Sequence, residues 1–355
     1  MGAGQLGLML GQAGKTLDLE FVFLDPARNP PAQAVGPVLS KPFDSDEGLA
    51  LLAGCDVVTY EFENVPAAAV EKLSQEVPVF PPPGALQHAQ DRLREKQLFE
   101  TLDIPVPPWH AVSSRRDVTE AIDAIGLPLI LKTRRLGYDG KGQAIIEREQ
   151  DADAAWREAG GRPLIAEQWV RYEREVSVFG ARAQDGRTAL YPMTQNEHRE
   201  GILHVSKAPA DGAAVARQAA RHLQELLTHL DYVGVLALEM FVVGETVLAN
   251  EFAPRVHNSG HWTIEGSRTS QFENHLRAIL GLPLGDTAPL GYAGMINLIG
   301  ALPADTGSMS EPGLHLHDYG KLPRPGRKLG HLTIVAADAT TRDQELSKAL
   351  KVIGN

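Results

Sequence analysis

The stretch from Leu238 to Trp262, L-E-M-F-V-V-G-E-T-V-L-A-N-E-F-A-P-R-V-H-N-S-G-H-W, constrains this chain more than any other. Apolar runs on both sides of Gly244-Glu245-Thr246 predict a β-hairpin with a short glycine-containing loop. Pairing Val243 with Val247 and counting outward sets Phe241 opposite Ala249 and Glu239 opposite Glu251. Directly opposed residues have Cβ atoms about 4.5–5.5 Å apart, and like charges so placed repel. Two carboxylates held together on an apolar hairpin therefore call for a cation. An all-oxygen ligand set suits a hard divalent ion, and Mg²⁺ completes its shell with water and substrate phosphates. The competing reading is a slipped register that leaves one glutamate in solvent.

A chain of 355 residues, 43% hydrophobic and 22% charged, fits a soluble protein of two or three domains. Its formal net charge of −11 offers no broad basic field for nucleic acid. The one cysteine, Cys55, excludes a disulfide framework or a cysteine zinc site, and its setting predicts a buried, inert thiol. No apolar run reaches the length of a membrane span and no basic-then-apolar leader opens the chain, so no membrane partner is expected and the cytoplasm is the expected location.

Gly2, Gly4 and Gly7 make a G-x-G-x-x-G pattern, and the strand Leu19 to Asp25 ends in an acid about where a dinucleotide fold places its ribose ligand. An oxidoreductase is thus one reading, although only Met1 precedes the first glycine. The missing strand suggests a natural start several residues earlier. Asp56 to Phe62 reads as a strand with Glu63 and Asn64 at its carboxyl end, where open α/β sheets bind ligands.

Asp91 to Leu102 reads as a helix carrying Lys96, which by itself suggests a solvated side chain. Lys132 interrupts the apolar strand Leu127 to Thr133, a costly position unless it meets an anion. The run after it, R-R-L-G-Y-D-G-K-G-Q, spaces Gly137, Gly140 and Gly142 through basic residues, as a lid over phosphates would. Leu164 to Val170 is another strand, Glu175 opens the next, and the polar segment Thr194 to His204 reads as a loop near the site. Ala210 to Leu230 is an amphipathic helix with Val215, Ala219, Leu223, Leu226, Leu227 and Leu230 on its core face. Arg255, His257, Asn258, Ser259 and His261 crowd beside the hairpin carboxylates and favour an anionic substrate, with a histidine metal site as the alternative. Lys321, Arg327 and Lys328 form a second basic cluster suited to a phosphomonoester.

These features together resemble the ATP-grasp superfamily, and most of the chain resembles its N5-carboxyaminoimidazole ribonucleotide synthetase family in purine biosynthesis. The specific runs are G-Q-L-G, Y-E-F-E-N-V, G-Y-D-G-K-G-Q, A-P-R-V-H-N-S-G-H-W-T and R-P-G-R-K-L-G-H-L. Ala253 stands where most other ATP-grasp enzymes carry asparagine. The resemblance implies an α/β and α+β, three-domain ATP-grasp fold. Its parts would be an amino-terminal parallel α/β substrate domain with connecting helix over 1–103, a lid over 104–163, and a carboxyl-terminal α+β domain over 164–355.

It also implies an ATP-dependent ligase that carboxylates 5-aminoimidazole ribonucleotide with bicarbonate, through carboxyphosphate, giving ADP and phosphate. Glu239 and Glu251 would hold one or two Mg²⁺ ions, and Lys96, Lys132 and the 137–142 loop would contact ATP phosphates. The hinge backbone of Glu167, Gln168, Trp169 and Val170 would read adenine and Glu175 the ribose hydroxyls. Arg255, His257, Asn258 and Lys141 would serve bicarbonate and carboxyphosphate. Gln5, Glu63, Tyr138 and Asp139 would meet the ribonucleotide, with Lys321 and Arg327 on its phosphate. A homodimer is implied as well. The chain departs from the family at the absent first strand and at His204, where the family carries arginine. Rival readings are a biotin carboxylase, a formate-using glycinamide ribonucleotide transformylase, the dinucleotide oxidoreductase, and a nucleotide-binding regulator without catalysis.

Overall fold

The structure, a computed structural model, describes residues 1–137, 142–160, 162–303 and 313–353. In the amino-terminal unit Phe23–Leu24 pairs in parallel with Val38–Leu39, and Val58 bridges Val79 in parallel. Met1 and Gly2 run between these two pairs. The Gly2 N–H donates to Leu24 O at 2.9 Å, and the Glu61 N–H donates to Met1 O at 3.0 Å. The central place of a small parallel sheet is therefore filled, at its carboxyl end, by the first two residues. Leu24, Val58, Tyr60, Val70 and Leu86 form the core beneath it.

A second, antiparallel sheet of four strands runs in the order Trp109–Val112, Leu164–Gln168, Leu129–Thr133, Gln143–Ile146. The strand Leu164–Gln168 is hydrogen-bonded on both sides within this sheet. A lid ending at 163 would cut the sheet in two, so the lid extends through this strand. The helix Arg92–Thr101 likewise belongs elsewhere than the 1–103 unit. Leu98 and Phe99 pack into the core of the carboxyl-terminal sheet with Val176, Leu238 and Phe252.

That sheet has nine strands. Eight lie in the order Thr246–Ala253, Gly234–Val243, Arg174–Arg182, Thr194–Arg199, Ile202–Ala208, Tyr292–Ile299, Lys328–Ala336, Leu314–Asp318, with Thr188–Leu190 paired to Arg174–Arg182. The helix Ala213–His229 covers one face. Val215, Ala219, Leu223, Leu226 and Leu227 are buried there as the periodicity predicts. Each large side chain so removed from water contributes about 1.5–3 kcal/mol.

The segment Thr194 to His204 is not a loop. It forms two strands joined at Glu200 and Gly201, both of which have positive φ, 51° and 75°. Polar residues form strands here because one face of the hairpin carries a buried hydrogen-bond network. Asn196 lies within it, and His198 lies on the wall of the main cleft.

Candidate active site

The hairpin pairs Glu239 with Glu251, but by a different route from simple counting. Val243 pairs with Thr246, so the turn is only Gly244-Glu245, and the ladder near the tip is one residue off the expected register. Phe241 thus faces Leu248 rather than Ala249, and a β-bulge at Asn250 restores the alignment before the glutamates. Both carboxylates line a cleft of about 1220 Å³ between the three units. Each has taken a separate partner. Glu251 accepts from Arg92 Nη1 at 2.8 Å, and Glu239 lies 2.9 Å from His257 Nε2. Burial works to raise the Glu239 pKa, but His257, His198 and Lys328 outweigh it and hold the carboxyl at about 2. Among the described residues no group of three histidine, cysteine or acidic side chains is arranged to hold a metal. Two cross-strand carboxylates at the edge of an open cleft fit Mg²⁺, which recruits its remaining oxygens from phosphates and water.

At one end of the cleft the helix Arg92–Thr101 and the lid sheet deliver their lysines to a single acid. Lys132 Nζ donates to Glu167 Oε2 at 3.0 Å, and Lys96 Nζ lies 3.4 Å from the same oxygen. Lys96 is fully buried, not solvated, and also donates to Asn250 O at 2.8 Å, the carbonyl that the bulge leaves out of the ladder. Burial opposes ionisation of Glu167, yet Lys132, Lys96 and Arg92 bring its pKa down to about 2. Its side chain is thus a counter-ion to both lysines, and Glu167 lies on the cleft wall. Of the hinge amides, Gln168 N–H donates to Pro108 O and Trp169 N–H to Pro128 O. Trp169 and Val170 still line the cleft, as do Gly137, Gln168 and Glu175. Glu175 accepts from the hydroxyl of Tyr172, whose ring stacks on Phe241 at 4.7 Å, and it pairs with His198. Gly142, which the sequence places in the lid loop, has φ 72° and packs on Thr133.

At the other end Arg255 pairs with Glu63, and both line the cleft beside Asn258. Burial acts against the Glu63 charge, but Arg255 and His257 win and lower its pKa. Asn258 and Asn297 exchange amide hydrogen bonds at 3.0 and 2.7 Å. Gln5 lines the cleft and accepts from Lys321 Nζ, whose pKa burial and Arg327 bring down to about 8. Arg327 donates to Leu322 O and is not on the cleft wall, whereas Lys328 is. Tyr138, Asp139, Gly140 and Lys141 lie outside the described residues.

Three family models match in chain order: "Ribonucleotide synthetase preATP-grasp domain" over 1–90, "ATP-grasp domain" over 97–272, and "Phosphoribosylaminoimidazole carboxylase C-terminal domain" over 293–345. The chain is 47% identical to N5-carboxyaminoimidazole ribonucleotide synthase of Pseudomonas aeruginosa, covering 99% of this chain and 98% of that one. It belongs to the N5-carboxyaminoimidazole ribonucleotide synthase family. The crystal structure of the synthetase from Thermus thermophilus superposes with a TM-score of 0.96 at 48% identity, covering 100% of this chain and 98% of that one. The synthase from Aspergillus clavatus, in complex with ADP and 5-aminoimidazole ribonucleotide, superposes with a TM-score of 0.90 at 29% identity, covering 100% and 97%. The chain is therefore an ATP-grasp ligase of purine biosynthesis with the mixed α/β and α+β fold of that family.

Within that family the glycine pattern has a different job from nucleotide binding. Gly4 N–H donates to Glu61 Oε1 at 2.7 Å, and Ala3 N–H to Asp25 Oδ2 at 2.8 Å. A Cβ on Gly2 would stand 2.7 Å from Glu61 Oε1. Carboxylates already hold the amides a pyrophosphate would need, so the oxidoreductase reading fails on geometry. Glu61, Arg92 and His198 are cleft residues that sequence reasoning gave no place in the site, while Lys328 of the second basic cluster lines the cleft as well. Glu61 had a signal, since in Y-E-F-E it shares a strand face with Glu63. Arg92 had none, being one more charge on a helix. His204 is buried and away from the cleft lining, and burial lowers its pKa, so it offers no anion grip. Cys55 is half-buried rather than enclosed, and that burial raises its thiol pKa. No helix among the described residues is long and apolar enough to cross a membrane.

Proposed function

We propose that this cleft joins bicarbonate to the amine of 5-aminoimidazole ribonucleotide at the expense of ATP, through carboxyphosphate. The observation that carries this reading is the facing pair Glu239 and Glu251, set beside Arg255, His257 and Asn258 in one cleft. Glu239 and Glu251 would hold Mg²⁺, which neutralises charge on the β- and γ-phosphates when bound. Lys96 and Lys132 would stabilise phosphate oxygens, with Glu167 holding both lysines in place. Trp169 and Val170 wall the adenine site, and Glu175 takes the ribose hydroxyls. Arg255, His257 and Asn258 orient bicarbonate for attack on the γ-phosphate. Phosphoryl transfer depends on such positioning and charge neutralisation.

The substrate amine then bonds to the carboxyl carbon of carboxyphosphate as the C–O bond to phosphate breaks, so that inorganic phosphate leaves and the nitrogen gives up a proton. Gln5 and Glu63 would meet the ribonucleotide, with Lys321 at its phosphate and Arg327 close behind. Gly137 and Gly142 bracket the loop that would close over the phosphates and exclude water. A cytoplasmic homodimer completes the proposal, and light scattering of the purified protein tests the dimer.

The central test is ADP release from Mg-ATP and bicarbonate, with and without 5-aminoimidazole ribonucleotide. Release should rise with the ribonucleotide and fall about a hundredfold or more in Glu251→Gln. Release indifferent to the ribonucleotide would remove the substrate assignment.

A further inference from the structure

Behind His257 lies a chain of buried polar side chains drawn from four separate elements. Ser206 Oγ donates to Asn196 Oδ1 at 2.8 Å, and Asn196 Nδ2 donates to Ser177 Oγ at 3.0 Å. Ser177 Oγ donates to Ser259 Oγ at 2.8 Å, and Ser259 Oγ stands 2.9 Å from His257 Nδ1. Ser177, Ser206 and Ser259 are fully buried, and Asn196 is 7% exposed. None of these four side chains lines the cleft. A buried hydroxyl has one proton to give, so its neighbours settle the direction in which it gives it.

The direction can be followed from both ends. On the cleft side, Glu239 Oε1 lies 2.9 Å from His257 Nε2, and a carboxylate only accepts. Nε2 therefore carries a proton. On the far side, the backbone N–H of Ser259 points at His257 Nδ1 at 3.3 Å, which requires Nδ1 to accept. Ser259 Oγ has already accepted from Ser177, so its own proton is free for the same nitrogen. Every link runs the same way, from Ser206 towards the cleft.

We propose that Ser206, Asn196, Ser177 and Ser259 are positioning residues that fix His257 in the Nε2–H tautomer. The inference rests on the site assigned above and deepens it. His257 then presents a hydrogen-bond donor, not a base, to any oxygen that displaces Glu239 from it. A bicarbonate or carboxyphosphate oxygen fits that donor, whereas removal of a proton from the substrate amine must fall to another group. Asn258 is held in a comparable way, since buried Asn297 pairs with its amide and also donates to Leu203 O at 2.8 Å.

The test is a side-chain ¹⁵N spectrum of the histidine-labelled full chain, with His257 assigned by its loss in His257→Gln. In the unaltered protein Nε2 should be protonated and Nδ1 bare. Asn196→Asp keeps the shape but can only accept from both serines. Ser177 then turns away from Ser259, Ser259 turns towards Ser177, and a proton should move onto Nδ1. Bicarbonate-dependent ADP release should fall about tenfold in that variant, as expected for one misdirected hydrogen bond.

If Asn196→Asp does not fold, Ser259→Ala carries the test. It should leave Nδ1 partly protonated, and Ser259→Thr should restore the original spectrum. A proton on Nδ1 in the unaltered protein would overturn the proposal. So would an unchanged His257 spectrum in a folded Asn196→Asp or Ser259→Ala. The spectrum is read without turnover, so a failed substrate assignment would leave this result standing, and the reverse also holds.

Discussion

The two ends of the cleft balance their charges differently. At the lid end two buried lysines, Lys96 and Lys132, share one carboxylate, Glu167. At the other end each carboxylate has a partner of its own: Arg255 for Glu63 and His257 for Glu239. The first arrangement keeps a surplus of positive charge aimed at a fixed place, ready for phosphate. The second is balanced, so a ligand enters only by exchanging partners. A site that must exclude stray anions until the nucleotide arrives is served by that difference.

Removing Glu167 should do the most damage. Glu167→Gln leaves both buried lysines without a counter-ion, and breaking such a pair costs about 3–5 kcal/mol. Glu63→Gln, at the half-exposed balanced end, should cost about 1 kcal/mol. Equal losses for the two in urea titrations would erase the distinction. Next comes Glu239→Gln, which should lower kcat by about a hundredfold or more with little loss of stability. Activity titrated against Mg²⁺ should move to higher metal concentration in the variant, and an unmoved curve would take Glu239 out of the metal site.

A smaller effect separates the nucleotides. Mg-ATP at a hundred times its Kd should stabilise the fold by about 2.7 kcal/mol, and NADH should leave the melting curve unchanged. A further effect is on pH. Burial, followed by Glu251, raises the Glu95 pKa from 4.5 to about 8. The folded chain therefore holds a proton there that the unfolded chain gives up from 4.5 upward. This stabilising contribution is complete below 4.5 and lost as pH rises to about 8. Melting at pH 6 and pH 9 should show a smaller alkaline loss in Glu95→Gln than in the unaltered chain. An identical loss would mean that the proton is not there.

The facing pair Glu239 and Glu251 was legible because a two-residue side-chain period and one turn locate it. The turn length was not, since Gly244-Glu245-Thr246 suits a three-residue loop as well as a two-residue one. The strands around Asn196 were missed because their inward face is polar, and local pattern reads polarity as exposure. The relation of Leu164–Gln168 to the lid is a matter of which strands it pairs with, and pairing partners far apart in sequence leave no mark in either segment. Lys96 and Arg92 share one helix, and it is tertiary packing, such as Phe99 against Phe252, that turns that helix towards the hairpin.

The bulge at Asn250 also has a bearing on how this hairpin can change. Because it absorbs one residue between the tip and the glutamates, a tip longer by one residue and a strand lacking Asn250 would align the same pair. The two lengths are interchangeable for Glu239 and Glu251, but not for Lys96, which would lose the carbonyl that the bulge exposes. Natural or engineered length variation at this turn is thus coupled to a lysine on a helix more than a hundred residues earlier in the chain.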